Sequence, residues 1–156
     1  MYNHAKRDYK CPICIGIRGI RSKDTLIRKN DIVFKNKLVT AFIASFFIGK
    51  TPGHLIIVPN KHIENLYDLP GRIGNEIFRT SRKLALKMKK AYKCEGITIL
   101  QNNEPVGDQH AFHYHLHILP RYKNDNLSEN LTNKKLASLK VRKKYADKIK
   151  KELKRK

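Results

Sequence analysis

The chain has 156 residues, of which 34 are Lys or Arg and 13 are Asp or Glu, giving a net charge of +21 at neutral pH. That length suits one domain, able to bury about two thirds of its unfolded surface in a single core without help from disulfides. The longest apolar run, residues 41–49, is far short of the roughly 20 residues of a membrane helix, and so large a positive charge favours polyanions: nucleotides, nucleic acid or an anionic membrane face.

In chain order, the opening MYNHAKRDYK is polar and basic, with no apolar stretch of the kind a secretory leader needs, and three cysteines are an odd number. A reducing, cytoplasmic setting is therefore expected, in which the close pair Cys11 and Cys14 reads as metal-binding or redox rather than as a staple. Residues 31–35, 38–45 and 54–59 have the β-branched and aromatic content of strands, and turn residues such as Lys35-Asn36-Lys37 and Thr51-Pro52-Gly53 separate them. Next, Ile73, Ile77, Ser81, Leu84, Met88 and Ala91 recur at intervals of three and four, which predicts a long helix entered just after Pro70 and left before Gly96. Strands follow at 97–101 and 112–119. A helix of that length, basic on its outer face, would lay its apolar stripe across one side of an antiparallel sheet.

The body, 1–122, carries +12; the remaining 123–156 holds 13 Lys or Arg against 4 Asp or Glu. In this C-terminal extension Leu136, Leu139, Val141, Tyr145, Ile149 and Leu153 lie among lysines, with helical spacing from Val141 onward. A basic amphipathic helix is expected, either contacting nucleic acid or a membrane surface or packing weakly on the body. A chain rich in Asn, Ile and Lys also reaches a high charge with no such partner.

Four of the seven histidines fall between positions 110 and 117, and His113, His115 and His117 alternate. In a strand, residues two apart share a face about 6.6 Å apart, so these three rings are expected to line one surface while Phe112, Tyr114, Leu116 and Ile118 anchor the other. Imidazole near neutral pH acts as nucleophile, acid, base or metal ligand. A row of rings with the middle one free to reach phosphorus suits phosphate chemistry.

The run from Gly107 to Arg121, with His113-Tyr114-His115-Leu116-His117 and the upstream Gln109, resembles the signature of the histidine-triad (HIT) family. A second segment, Pro52-Gly53-His54-Leu55-Ile56-Ile57-Val58-Pro59-Asn60-Lys61-His62-Ile63, is similar to that family's PGH segment, in the same order and separation. The resemblance covers roughly residues 8 to 122. It implies an α+β fold of five antiparallel strands with one long helix, commonly dimerised, to which the chain adds its basic helical extension. It further implies hydrolysis or transfer of a nucleotidyl group through a covalent intermediate on His115. His117 and His54 would contact the attacked phosphate, and Gln109 and Asn102 would donate hydrogen bonds to its oxygens or to the bridging atom. Some similar bacterial proteins bind structural zinc through residues matching Cys11, Cys14, His62 and His113, a closed set of two thiolates and two imidazoles.

Three departures from the pattern bear on the substrate. No acidic residue follows the second strand, where many relatives hold the ribose hydroxyls; the stretch reads Phe42-Ile43-Ala44-Ser45-Phe46-Phe47. His110 stands where a small or hydroxylated residue is common. The charge and the extension are atypical. The leading expectation is an enzyme acting on nucleoside phosphoramidates, dinucleoside polyphosphates or related adenylated compounds. The alternative is a nucleic-acid-associated protein, a binder or an end-deadenylating enzyme that uses the basic tail. The uridylyltransferase branch fits less well, because Tyr114 and Leu116 separate the histidines where that branch has His-Pro-His.

Overall fold

Five strands, β1 (Ile32–Lys35), β2 (Val39–Ile43), β4 (Leu55–Pro59), β5 (Gly96–Gln101) and β6 (Leu116–Arg121), form one antiparallel sheet in the order β1-β2-β4-β6-β5. They come from a computed structural model that describes residues 2–155. A short second sheet pairs β3 (Phe46–Ile48) with β7 (Lys134–Leu136). The helices are α1 (Pro12–Ile17), α2 (Gly71–Tyr92), α3 (Leu127–Asn130) and α4 (Leu139–Lys154). No helix among the described residues is long and apolar enough to cross a membrane.

Strand periodicity sorts the sheet into two faces. Val39, Ala41, Ile43, Leu55, Ile57 and Ile118 point to one side, where they form the main core with Ile73, Ile77, Leu84 and Met88 of α2. On the other side Phe42 and Val58 pack with Cys11, Ile13, Ile17 and Ile27 of the N-terminal segment. The α2 stripe is the expected one, extended by buried Thr80 and Tyr92, while Ala91 lies at its half-buried margin. The helix closes on Lys93, in the left-handed region at φ 55°, and Gly96 instead opens β5.

The extension differs from a weakly packed tail. Ala146 and Ile149 of α4 are fully buried in the main core, and Tyr145 and Leu153 pack against it. Its inward face starts at Arg142, 3% exposed, rather than at Val141, which is exposed along with Leu136 and Leu139. Arg142 pairs with Asp31 at 2.9 Å and donates to the Leu26 carbonyl at 2.9 Å and to Ser45 Oγ at 2.7 Å. Burial pushes the Asp31 carboxyl up and the Arg142 guanidinium down despite their mutual attraction, as expected where the loss of hydration outweighs the Coulomb gain. A slightly misplaced helix stripe in the sequence thus conceals a buried ion pair.

The predicted strand 112–119 is shorter and begins later, at Leu116. Residues 112–115 form an irregular approach, so the alternating geometry expected of all three triad histidines holds only from Leu116 on.

Candidate active site and metal-ligand cluster

Two groups of histidines occupy the side of the sheet away from α2. His54 closes the loop before β4, His117 lies within β6, and His115 sits one residue before β6. The rings of His115 and His117 have centroids 5.0 Å apart, and those of His117 and His54 are 5.4 Å apart. All three line a cavity of about 680 Å³ with Asn102, His110, Ala44 and Ser45, and with an apolar wall that includes Ile13, Ile27, Phe42 and Ile56.

One hydrogen bond defines the chemistry of His115. Its Nδ1–H donates to the backbone carbonyl of His113 at 2.7 Å, which leaves Nε2 with a lone pair. Burial holds the imidazole below its ordinary range, although the His113 carbonyl opposes that shift, so the ring is neutral at physiological pH and able to act as a nucleophile. His117 is held well below its usual value by burial, with His115, His54 and Lys134 adding to the shift. His54 is lowered by burial to about 3. Neither ring nitrogen of His54, and not Nδ1 of His117, has a hydrogen-bond partner among the described residues. Buried polar atoms without partners are costly, and a cluster of them facing a cavity suits a ligand rich in acceptor oxygens.

His113 turns away from this row. It is fully buried, and its Nε2–H donates to the Pro59 carbonyl at 3.0 Å, directing the Nδ1 lone pair toward Cys11, Cys14 and His62. Nδ1 lies 3.4 Å from Cys11 Sγ, 3.4 Å from Cys14 Sγ and 3.3 Å from His62 Nδ1, and Cys14 Sγ is 3.4 Å from His62 Nδ1. A tetrahedral ion with Zn–N and Zn–S bonds of about 2.0–2.3 Å requires ligand separations of roughly 3.3–3.8 Å, so the four residues have suitable donor chemistry and spacing. The Pro59 carbonyl, by accepting from Nε2–H, fixes the tautomer in which Nδ1 can ligate. Burial, then the neighbouring Cys11 sulfur, push the Cys14 thiol up to about 12, so its thiolate requires a compensating cation. The sulfurs are presented by the first turn of α1, where Cys11 is the N-cap and accepts from Cys14 N at 3.3 Å.

The remaining predicted residues divide. Asn102 lines the cavity at the end of β5, its amide 3.3 Å from the Asp108 carbonyl. Gln109 is not among the cavity-lining residues: it is 2% exposed, accepts from Glu104 N at 2.7 Å and donates to the Glu64 carbonyl at 2.6 Å. Its carboxamide is committed to holding the loop that carries His110. Cys94 is a buried small side chain. As expected, no acid follows β2, but Asp24 and Asp108 reach the cavity from other loops, and Leu131 and Lys134 reach it from the extension. Asp24, Leu131 and Lys134 have no local motif to mark them; chain packing alone brings them to the histidines.

The family profile described as the HIT domain matches residues 27–124. The chain belongs to the HIT family. An uncharacterised HIT-like protein of Saccharolobus solfataricus is 38% identical over 94 residues, 60% of this chain and 66% of that relative. A bis(5'-adenosyl)-triphosphatase of Saccharomyces cerevisiae is 33% identical over 84 residues, 53% of this HIT protein and 41% of the yeast one. The chain thus spans less than two thirds of the length of these curated relatives. Among solved structures, a HIT-like protein of Bartonella henselae superposes with a TM-score of 0.78 at 27% identity, covering 96% of this chain and 99% of that one.

Proposed function

We propose that this HIT protein transfers or hydrolyses a nucleotidyl group through a covalent intermediate on His115, acting on a dinucleoside polyphosphate, a nucleoside phosphoramidate or a related adenylated compound. The observation that carries this reading is the bond from His115 Nδ1 to the His113 carbonyl, which aims an unprotonated Nε2 into a cavity lined by two further neutral imidazoles. In the first step the Nε2 lone pair attacks the α-phosphorus. The bond to the bridging oxygen or nitrogen breaks, its electrons leave with the departing group, and that group takes up a proton. The positive charge left on the phosphorylated ring is supported through Nδ1–H by the same carbonyl. Water then attacks phosphorus, loses a proton and releases the nucleotide, regenerating neutral His115.

His54 and His117 suit the role of donors to the phosphate oxygens, since each has a ring nitrogen without another partner among the described residues; preorganised donors of this kind act where charge builds in the transition state. Asn102 is positioned to add an amide donor. The apolar wall of Ile13, Ile27, Phe42 and Ile56 suits a base. Cys11, Cys14, His62 and His113 would hold a zinc ion in a closed structural site, which supplies rigidity and no open coordination position. His113 links the two centres, because its ring belongs to the metal cluster and its carbonyl orients the nucleophile. A homodimer in the cytoplasm is the assembly and setting we assign to it.

The test is intact-mass analysis after incubation with adenylated and guanylated substrates. Wild-type protein should carry a nucleotidyl adduct and His115→Ala should carry none and lose turnover; turnover persisting in that variant removes His115 from the mechanism.

A second reading has one observation in its favour. Lys140, Lys144, Lys148 and Lys151 lie along α4, their exposed ammonium groups outward on the helix side of the sheet. Binding of an oligonucleotide there should weaken steeply with salt through counterion release. Because the inward face of α4 packs into the main core with α2, such binding would hold a strand on the outer surface of that helix.

A further inference from the structure

The small β3–β7 sheet gives the active-site cavity a wall that the five-stranded sheet does not supply. In its register Ile48 lies opposite Lys134 and Phe46 opposite Leu136, and Phe46, Ile48 and Lys134 all line the cavity with His115 and His117. Lys134 is exposed, and among the described residues its ammonium forms no ion pair, although Asp24 and Asp108 line the same cavity. The cavity's other lysine, Lys23, belongs to the loop beside Asp24 and the apolar wall.

As two hydrogen-bond donors and a nucleophile, His54, His117 and His115 serve the one phosphate under attack and leave the charge of a chain of phosphates without a counterpart. An exposed ammonium group lining the cavity on the β3–β7 side complements additional negative charge. We infer that Lys134 is a specificity residue that holds a phosphate of the leaving group, selecting substrates whose attacked phosphate carries further phosphates over those whose leaving group is uncharged. This deepens the nucleotidyl-transfer reading above and rests on it. It also assigns a role to the extension: residues 131–136 complete the site, while α4 fixes the segment to the core.

The test uses the full chain as wild type, Lys134→Ala and Lys134→Arg. For each, kcat/KM is measured with diadenosine triphosphate, whose leaving group is phosphorylated, and with adenosine 5'-phosphoramidate, whose leaving group is not. The ratio of the two constants should fall about tenfold or more in K134A, the scale of one charge-assisted contact, and should be largely restored in K134R. An unchanged ratio overturns the inference. That outcome includes equal loss on both substrates, which would place Lys134 on the attacked phosphate. Calorimetric affinities for ADP and AMP separate this idea from the catalytic one. If wild type turns over neither substrate, the enzymatic reading fails, yet a loss of ADP affinity relative to AMP in K134A still supports a Lys134 phosphate contact. Equal changes for the two nucleotides reject it.

Discussion

Gly53→Ala tests how the extension and the loop that carries His54 depend on one another. Gly53 immediately precedes His54 and has φ +77°, a region that costs an L-residue about 1–2 kcal/mol. A Cβ there would lie 2.3 Å from Cδ1 and 2.6 Å from Cγ of Tyr145 on α4. Tyr145 cannot easily withdraw: its ring stacks edge-on with Phe47 and Tyr92, and the Tyr92 hydroxyl donates to the carbonyls of both Gly53 and Tyr145 at 3.2 Å. Overpacking of this kind adds about 1–3 kcal/mol, for a total of roughly 2–5 kcal/mol. The melting temperature should fall by roughly 4–20 °C, since each kcal/mol shifts a domain of this size by about 2–4 °C. Displacement of the neighbouring His54 should also lower kcat/KM in the surviving folded protein. Thermal unfolding of G53A, Tyr145→Ala and the double variant isolates the steric part, because removing the ring relieves the overlap but not the backbone strain. A favourable coupling of about 1–3 kcal/mol is expected. Melting of G53A at the wild-type temperature, or strict additivity in the double variant, refutes the argument.

Arg142→Met should destabilise the fold by about 3–5 kcal/mol because it leaves Asp31 buried without its cation, whereas Asp31→Leu with Arg142→Met should recover most of that loss; chemical denaturation of both variants beside the wild type checks the ordering. Chelation, or Cys14→Ser, should remove zinc from the purified protein and lower its melting temperature, with metal content read by elemental analysis on the same samples. The pH response follows from burial of neutral imidazoles. His54, His115 and His117 bind protons less readily folded than unfolded, so stability is complete above the ordinary imidazole value near 6.5 and declines as pH falls toward the lowered native values, about 3 for His54. Melts from pH 7.5 to 4.5 should show this decline, and kcat/KM should stay level through pH 6.5 where an ordinary histidine nucleophile would already be losing activity.

The α2 helix and the five main strands were legible because each is written in local periodicity: Ile73, Ile77, Leu84 and Met88 at helical spacing, and alternating inward residues in β2, β4 and β6. The side of the sheet on which His117 lies follows from the same alternation. Tertiary structure alone decided where His113 and His115 point, since the backbone leaves strand geometry before Leu116 and sends the first ring toward the Cys11 and Cys14 sulfurs while the His113 carbonyl accepts a hydrogen bond from the His115 ring. Sequence patterning could describe the extension as basic and helical. It could not foresee Arg142 buried on Asp31, Tyr145 seated on Gly53, or Lys134 lining the same cavity as His54, His115 and His117. Periodicity is set by the repeat of one element and reads off its own chain, whereas a cavity is set by which distant segments share a core, and only the folded packing determines that.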